Sequence, residues 1–221
     1  MTIKEAVMQR HMVRKYIDKT ISAETVKQLN ERIEKSNTEY DISMKLVTGN
    51  ADGIGGLAKL LLTRSVYNYI ILAGKDHATL DEKLGYCGAD LILYAQTLGL
   101  NTWWCGGMFS SKAARKQLQN ADVRVNGVIA IGYGQTQGVP HKSKPAEAVA
   151  KDFGAAPEWF RRGIDAALLA PTAVNQQKFT FTLENGRVRA KAGAGFYANV
   201  DLGIVKYHFE TAAGKENFQW Q

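Results

Sequence analysis

Two short basic stretches, residues 10–15 (RHMVRK) and 141–144 (HKSK), carry the charges best placed to bind a ligand. Guanidinium groups offer donors in a fixed plane that fits two phosphate oxygens, and ammonium groups act as point charges. The rest of the net charge of +7 is dispersed, without the dense basic stripe typical of nucleic-acid surfaces. The two clusters therefore favour a site for one compact anion, such as a phosphate group.

Two further stretches could contact a polar, flat ligand. Residues 171–177 (PTAVNQQ) follow an apolar helical pattern with hydrogen-bonding side chains, and residues 103–107 (WWCGG) end in two glycines that a ligand could approach closely. The four histidines and two cysteines show no HExxH or CxxC spacing, and no nucleophile–base pair is evident. We predict no catalytic side chain and no metal site.

Hydrophobic periodicity and capping residues predict the elements that must position these stretches. We predict a hairpin with its turn at Asn185-Gly186 over 178–193, helices over 23–36, 80–98, 110–121, 157–170 and 199–214, and strands over 41–50, 65–74 and 124–134. The last of these strands is expected to be central. The predicted class is α+β, with a central antiparallel or mixed sheet flanked by helices.

Length and composition indicate one globular domain of 221 residues. No apolar run reaches the ~18–20 residues of a membrane span, and the first fifteen residues lack the apolar core of a signal peptide. Cys87 and Cys105 are expected to be reduced structural thiols. We therefore expect a cytoplasmic protein that does not enter a membrane.

The order of the predicted elements suggests an internal repeat. In each half a helix leads to a small polar segment, a strand and a turn: Ser36 lies 14 residues before Asn50, and Pro171 lies 14 before Asn185. Residues 88–99 also weakly resemble 199–214. Chance similarity between two amphipathic units is the alternative. The prediction is a single domain over 1–221 with pseudo-repeats over about 1–150 and 151–221.

Three segments together resemble the flavin-dependent nitroreductase family. Residues 9–22 resemble its Arg-x-Ser-x-Arg-x-[Phe/Tyr] motif, residues 88–107 with 127–134 its central helix, Gly-Leu turn and last sheet strand, and residues 166–179 its Ala-Pro-Ser-x-x-Asn-x-Gln-Pro-x-x-Phe motif. The resemblance implies an FMN-dependent enzyme that takes hydride from NAD(P)H and passes it through flavin N5 to a small nitroaromatic or quinone acceptor.

The resemblance also implies which residues bind FMN. The start of the first basic stretch and the two lysines of the second are expected at the phosphate and ribityl chain, and Arg14 at the pyrimidine edge of the ring. The N–H groups of the glycine turn are expected near N5, and the Pro-Thr-Asn loop at the ring or the ribityl chain. The expected residues are Arg10, His11, Met12, Arg14, Gly106, Gly107, Lys142, Lys144, Pro171, Thr172 and Asn175.

Some positions depart from the family pattern or stay open. Met12 replaces the usual hydroxyl residue, which removes one donor, and Lys178 stands where a second proline is expected. Whether Lys59 or Arg64 reaches the flavin is left open, and Asn68 is expected to be a hydrogen-bonded amide within its strand.

The order of the motifs differs from the usual family layout, in which the arginines and the Pro-Ser-Asn loop of one site come from two subunits. Here the first half holds the arginines and the second half holds the loop. The resemblance is closest to single-chain, internally duplicated members, which implies a pseudo-dimer with one flavin site. A monomer is favoured, with a homodimer as the alternative.

Two other functions remain open at this point. The departures at Met12 and Lys178 are compatible with a flavin carrier or sensor that does not turn over. The charge of +7 is compatible with a basic nucleic-acid-binding domain, although no basic-aromatic sheet face supports it.

Overall fold

The computed structural model describes residues 1–120 and 122–221, and it confirms the α+β class. The helices are α1 (Ile3–Gln9), α2 (Ala23–Tyr40), α3 (Gly56–Leu61), α4 (Leu80–Thr97), α5 (Ser111–Leu118), α6 (Glu158–Leu168) and α7 (Ala198–Ala213). The strands are β1 (Lys45–Val47), β2 (Tyr69–Gly74), β3 (Asn101–Cys105), β4 (Arg124–Gly132), β5 (Phe179–Glu184), β6 (Arg187–Ala192) and β7 (Gln219–Trp220).

The main sheet is antiparallel throughout, with the order β1-β2-β4-β3. β2 is buried along its whole length and β4 is buried from Val125 to Gly132, as their largely apolar sequences predict, with Asn126 the polar residue in the buried part of β4. Alternate residues serve different cores: Ile70 and Ile129 pack with α2 and α4, whereas Ile71 and Val128 pack with the segment after α1. The sheet therefore holds the first basic stretch against one of its faces.

A second, smaller sheet belongs to the C-terminal part of the chain. Asn185 and Gly186 both have positive φ, and they form the predicted tight turn between β5 and β6. β7 adds in parallel to β6. Phe181 of this sheet stacks on Phe209 of α7 at 4.9 Å between ring centroids, so the sheet and α7 share one aromatic core.

Helices α4 and α7 cross with their backbones in direct contact. A Cβ atom at Gly85 would collide with the carbonyl of Val200, and a Cβ atom at Gly203 would collide with the carbonyl of Glu82. The contact is reciprocal, since each glycine faces the turn that precedes the other. This crossing joins the first part of the chain to the last.

Several element boundaries differ from the prediction. α2 continues to Tyr40, and Asp41 then ends it in the left-handed conformation, so the strand predicted over 41–50 shrinks to three residues. The strand predicted from residue 65 begins at Tyr69. The helix predicted over 110–121 ends at Leu118, and Ala121 lies outside the described residues.

Four elements have no counterpart in the prediction: α1, α3, β3 and β7. Each contains seven residues or fewer, which gives periodicity little to act on. α1 forms because Thr2 and Glu5 make a capping box. Within the described part of the chain, no helix combines the length and apolarity that crossing a bilayer requires.

Candidate functional site

Arg10 is a buried cation without a charged partner. It follows α1 directly, where the chain leaves the helix, and only 5% of it is exposed. Within residues 1–120 and 122–221 its Nε atom has no hydrogen-bond partner, and no carboxylate forms an ion pair with it. Burial lowers its pKa to about 10. A buried charge of this kind is costly unless an anion compensates it, so the site calls for an anionic ligand.

Three histidines surround this arginine. Burial lowers the pKa of His11, and burial lowers that of His208 to about 3; the charges on Arg10 and His141 lower both pKa values further. His208 donates from Nδ1 to the carbonyl of Ile204 at 2.9 Å, so its neutral ring presents a bare Nε2 atom. The cluster is therefore a pocket of positive potential, with no acidic group among the causes of either shift.

Gln177 holds the second basic stretch and the 171–177 loop together. Its side chain is 1% exposed and accepts from the backbone N–H of Lys144 at 2.7 Å. It also donates to the carbonyl of Leu168 at the end of α6, at 3.0 Å. His141 and Ser143 reach the same carbonyl, at 2.9 and 3.0 Å. His141 also lowers the pKa values of His11 and His208, as Arg10 does, so this loop pair lies near the same two histidines as Arg10.

The predicted hydrogen-bonding residues of the 171–177 loop also stabilise the loop itself. Thr172 Oγ1 accepts from the N–H of Gln177 at 3.1 Å, and Asn175 Nδ2 donates to the carbonyl of Lys142 at 2.8 Å. Asp201 of α7 accepts from the N–H of Ala173 at 2.9 Å. The hydroxyl hydrogen of Thr172 is left for another acceptor.

The two lysines predicted for the phosphate differ in their surroundings. The Lys142 side chain is exposed and makes no ion pair within the described residues. Lys144 donates from Nζ to the carbonyl of Gln177 at 2.9 Å, which leaves two of its three donors available. Both belong to the same loop as His141.

Arg14 marks the other end of the predicted site. Its guanidinium lies 5.2 Å from the ring centre of Trp103, which is buried in the core, and its Nε atom is buried without a partner in the described chain. The Arg14 carbonyl accepts from the N–H of Arg64 at 3.3 Å, so α3 and its following loop lie beside this arginine. Lys59 of α3 is exposed.

The glycine turn after β3 is covered by a tyrosine from the second half. The Tyr197 ring lies 3.2 Å from the position a Gly106 Cβ would take, and its hydroxyl donates to the Gly106 carbonyl. Gly107 is exposed, with open space where a Cβ would be. The backbone at Gly107 is therefore free to approach a ligand.

The structure brings several of the predicted residues into contact. The Gly138 backbone packs against His11 and the Met12 carbonyl, so the loop leading to residues 141–144 runs alongside the first basic stretch. Asn68, by contrast, donates to the carbonyl of Ile131 and accepts from the N–H of Gly49, as an amide within the sheet should.

Sequence reasoning did not single out His208, Gln177, Asp201 or Tyr197. Gln177 was visible in the quoted motif, but its role as the central hydrogen-bonding group was not. His208 and Asp201 lie on an amphipathic helix, where polar residues carry no signal of what they face.

A cavity of about 320 Å³ lies elsewhere, between α4, α7 and the C-terminus. Its buried carboxylate, Glu210, accepts from Tyr86 at 2.5 Å, from Trp220 at 2.6 Å and from Lys215 at 2.8 Å. This charge is paired, whereas the buried Nε atoms of Arg10 and Arg14 have no partner among the described residues.

The α+β fold and the buried Arg10 agree with the nitroreductase resemblance. Residues 2–213 match the family described as "Putative TM nitroreductase", and the chain belongs to that family. The family resemblance drawn from the sequence is thereby confirmed. A search of curated proteins gave no match.

Solved structures agree on the fold. A "putative nitroreductase" of Thermotoga maritima has a TM-score of 0.64 and 22% identity, covering 96% of this chain and 83% of its own. A "putative nitroreductase in complex with FMN" of Desulfovibrio desulfuricans has a TM-score of 0.54 and 17% identity, covering 67% and 95%. A "Putative NADH dehydrogenase/NAD(P)H nitroreductase" of Parabacteroides distasonis has a TM-score of 0.53 and 18% identity, covering 68% and 97%.

Proposed function

We propose that this chain is an FMN-dependent oxidoreductase of the nitroreductase type. It would use NAD(P)H as the donor and a nitroaromatic or quinone-like compound as the acceptor. The observation that carries the proposal is the buried Arg10, whose charge no carboxylate of the described chain compensates. Family membership and the FMN-bound relative from Desulfovibrio desulfuricans support the choice of FMN as the anion.

The residues present fit FMN at both ends. A phosphate dianion matches Arg10 in charge, with Lys142 and the free donors of Lys144 on the neighbouring loop. Arg14 stands separately, beside Trp103, where a second cation suits the pyrimidine edge of a flavin ring. When bound, FMN supplies the two-electron chemistry, in which NAD(P)H, a proton and a quinone yield NAD(P)⁺ and a hydroquinone.

The protein would contribute orientation and electrostatics. A fixed cation at Arg14 stabilises negative charge on the reduced ring, and it requires no reorganisation during the reaction. The exposed backbone at Gly107 allows a ring to approach without meeting a side chain. No side chain needs to act as acid or base, and we assign no catalytic residue.

The proposed site would be complete within one chain. Residues 10–14 lie in the predicted first pseudo-repeat and residues 171–177 in the predicted second, and the 141–144 loop, near the end of the first, is hydrogen-bonded to the 171–177 loop. A monomer would therefore suffice. Both cysteines are free, which agrees with the proposed location in the cytoplasm.

The test is the absorption spectrum of the purified protein and its flavin-to-chain ratio. Arg10→Met keeps the side-chain volume but removes the charge, and FMN affinity should fall at least 10-fold because a charge-assisted contact contributes about 1.5–3 kcal/mol. Arg161→Met, at an exposed position of α6, is the matched control and should bind FMN as the wild type does. Equal FMN affinity of both variants would contradict the proposal.

Anaerobic mixing with NADH or NADPH separates an enzyme from a flavin carrier. Bleaching of the oxidised flavin band, followed by its return on addition of a quinone, is the expected result. A yellow protein that neither nucleotide bleaches would instead be a carrier or sensor.

A further inference from the structure

An aromatic pair at the start of α7 reaches from the second half of the chain to the glycine turn of the first. Tyr197 has φ of +58°, an uncommon conformation for a residue other than glycine, and its hydroxyl donates to the Gly106 carbonyl. Its ring fills the space beside Gly106. Tyr197 is therefore fixed by its backbone, its ring and its hydroxyl.

Phe196 is held equally firmly but points outward. Its carbonyl accepts from Gln176 Nε2 at 2.7 Å, and the same amide nitrogen donates to Asp201 at 2.7 Å. Its ring lies 4.6 Å from the Tyr197 ring centre at 71°, and 72% of Phe196 is exposed. A large aromatic side chain on a rigid support gains little folding energy in water.

We propose that Phe196 forms the stacking wall for a flat aromatic or quinone acceptor beside the Gly106–Gly107 turn. The inference rests on the proposed function, because that turn is where the flavin ring is expected. The Phe196 ring lies next to Tyr197, which touches Gly106, Gln176 holds the backbone carbonyl of Phe196, and 72% of the residue is exposed. A flat acceptor could contact this ring and so gain binding energy that a compact, non-planar oxidant could not.

The experiment uses the FMN-loaded protein, reduced photochemically without oxygen so that NAD(P)H binding is not involved. Reoxidation is then followed in a stopped-flow instrument, with menadione as a flat quinone and ferricyanide as a non-planar oxidant. Phe196→Ala should slow reoxidation by menadione about 3- to 10-fold, the usual range for loss of an aromatic pair. Ferricyanide should react at the wild-type rate.

Conservative variants and a binding measurement complete the test. Phe196→Tyr keeps the ring and should restore the menadione rate, whereas Phe196→Leu keeps only apolar bulk and should restore it in part. The dissociation constant of 2-naphthoate, a flat and redox-inert probe, should rise in Phe196→Ala by the same factor as the menadione rate falls, measured by difference absorption.

The outcomes separate this inference from the proposed function. A wild-type protein that binds no flavin, or whose flavin NAD(P)H does not reduce, contradicts the proposed function. A competent wild type whose Phe196→Ala variant reacts unchanged with menadione, or slows equally with both oxidants at full FMN content, overturns the stacking role alone.

Discussion

Replacing Gln177 by alanine should loosen the contact between the two loops on which the proposed site depends. The glutamine side chain is almost fully buried and joins three segments: the 141–144 loop, the 171–177 loop and the end of α6. Alanine cannot replace either of its hydrogen bonds. We therefore expect a loss of both stability and FMN affinity.

The expected magnitude follows from the groups left behind. The backbone N–H of Lys144 loses its partner, and an unpaired buried donor costs about 1–3 kcal/mol. The Leu168 carbonyl keeps its hydrogen bonds to His141 and Ser143, so losing the bond from Gln177 adds little to the cost. The φ of +44° at residue 177 is equally unfavourable for Gln and Ala and should cancel. The variant should lose about 1–3 kcal/mol, or roughly 2–12 °C in Tm.

Urea unfolding of the flavin-free protein measures this loss without the contribution of ligand binding. Gln28→Ala is the control, because that glutamine bonds only Glu24 on the exposed face of α2 and should change the unfolding free energy by less than about 0.5 kcal/mol. If Gln177→Ala were as stable as Gln28→Ala, Gln177 would not be the residue that holds the 141–144 and 171–177 loops together.

Three further predictions concern pH, helix packing and backbone strain. His208 has a pKa of about 3 when folded and about 6.5 when unfolded, so the unfolded chain binds more protons below pH 6.5. Stability should therefore fall by up to about 1.4 kcal/mol per pH unit from 6.5 towards 3, and His208→Asn, titrated alongside, should flatten that slope. Gly203→Ala should lower the free energy of unfolding in urea by at least about 1–3 kcal/mol, because the alanine Cβ would lie 2.6 Å from the Tyr86 amide nitrogen. A variant as stable as the wild type would mean that α4 and α7 can separate freely. Val174→Gly should raise Tm slightly, because a β-branched residue at φ +45° is strained and 95% exposure means that no packing is lost; a lower Tm would argue against strain there.

Long periodic elements were predictable from the sequence, because their hydrophobic pattern repeats often enough to be recognised despite single residues that break it. α4, α7 and the β5–β6 hairpin lie within one residue of their predicted bounds. β3 was not predicted, since Asn101–Cys105 is only five residues long and its tryptophans fit a core in any conformation. Residues 41–44 failed as a strand because one left-handed residue, Asp41, redirects the chain.

The candidate site was predictable in residue type but not in its connections. The arginines and the Pro-Thr-Asn loop stand out as charged or polar residues in short motifs. Nothing in the sequence shows that Tyr197 would reach Gly106, which is 91 residues away, or that Gln177 would bond Lys144, 33 residues away. Such contacts depend on how α7 crosses α4, and that crossing is set by tertiary packing.

The structural matches show how much of this chain lies outside a single relative. The matches to the relatives from Desulfovibrio desulfuricans and Parabacteroides distasonis cover 95–97% of those chains but only 67–68% of this one. About a third of this chain therefore has no counterpart in a single chain of either relative. A two-fold relation between the halves would produce a reciprocal crossing like that of α4 and α7. The spacings disagree, however: Gly85 and Gly203 are 118 residues apart, whereas the Asp-Leu pairs that begin at 90 and 201 are 111 residues apart. A repeat that had kept its register would give one spacing. The internal repeat therefore stays a prediction, and what the structure shows of the C-terminal part is that Asp201 supports the 171–177 loop and Tyr197 covers the glycine turn.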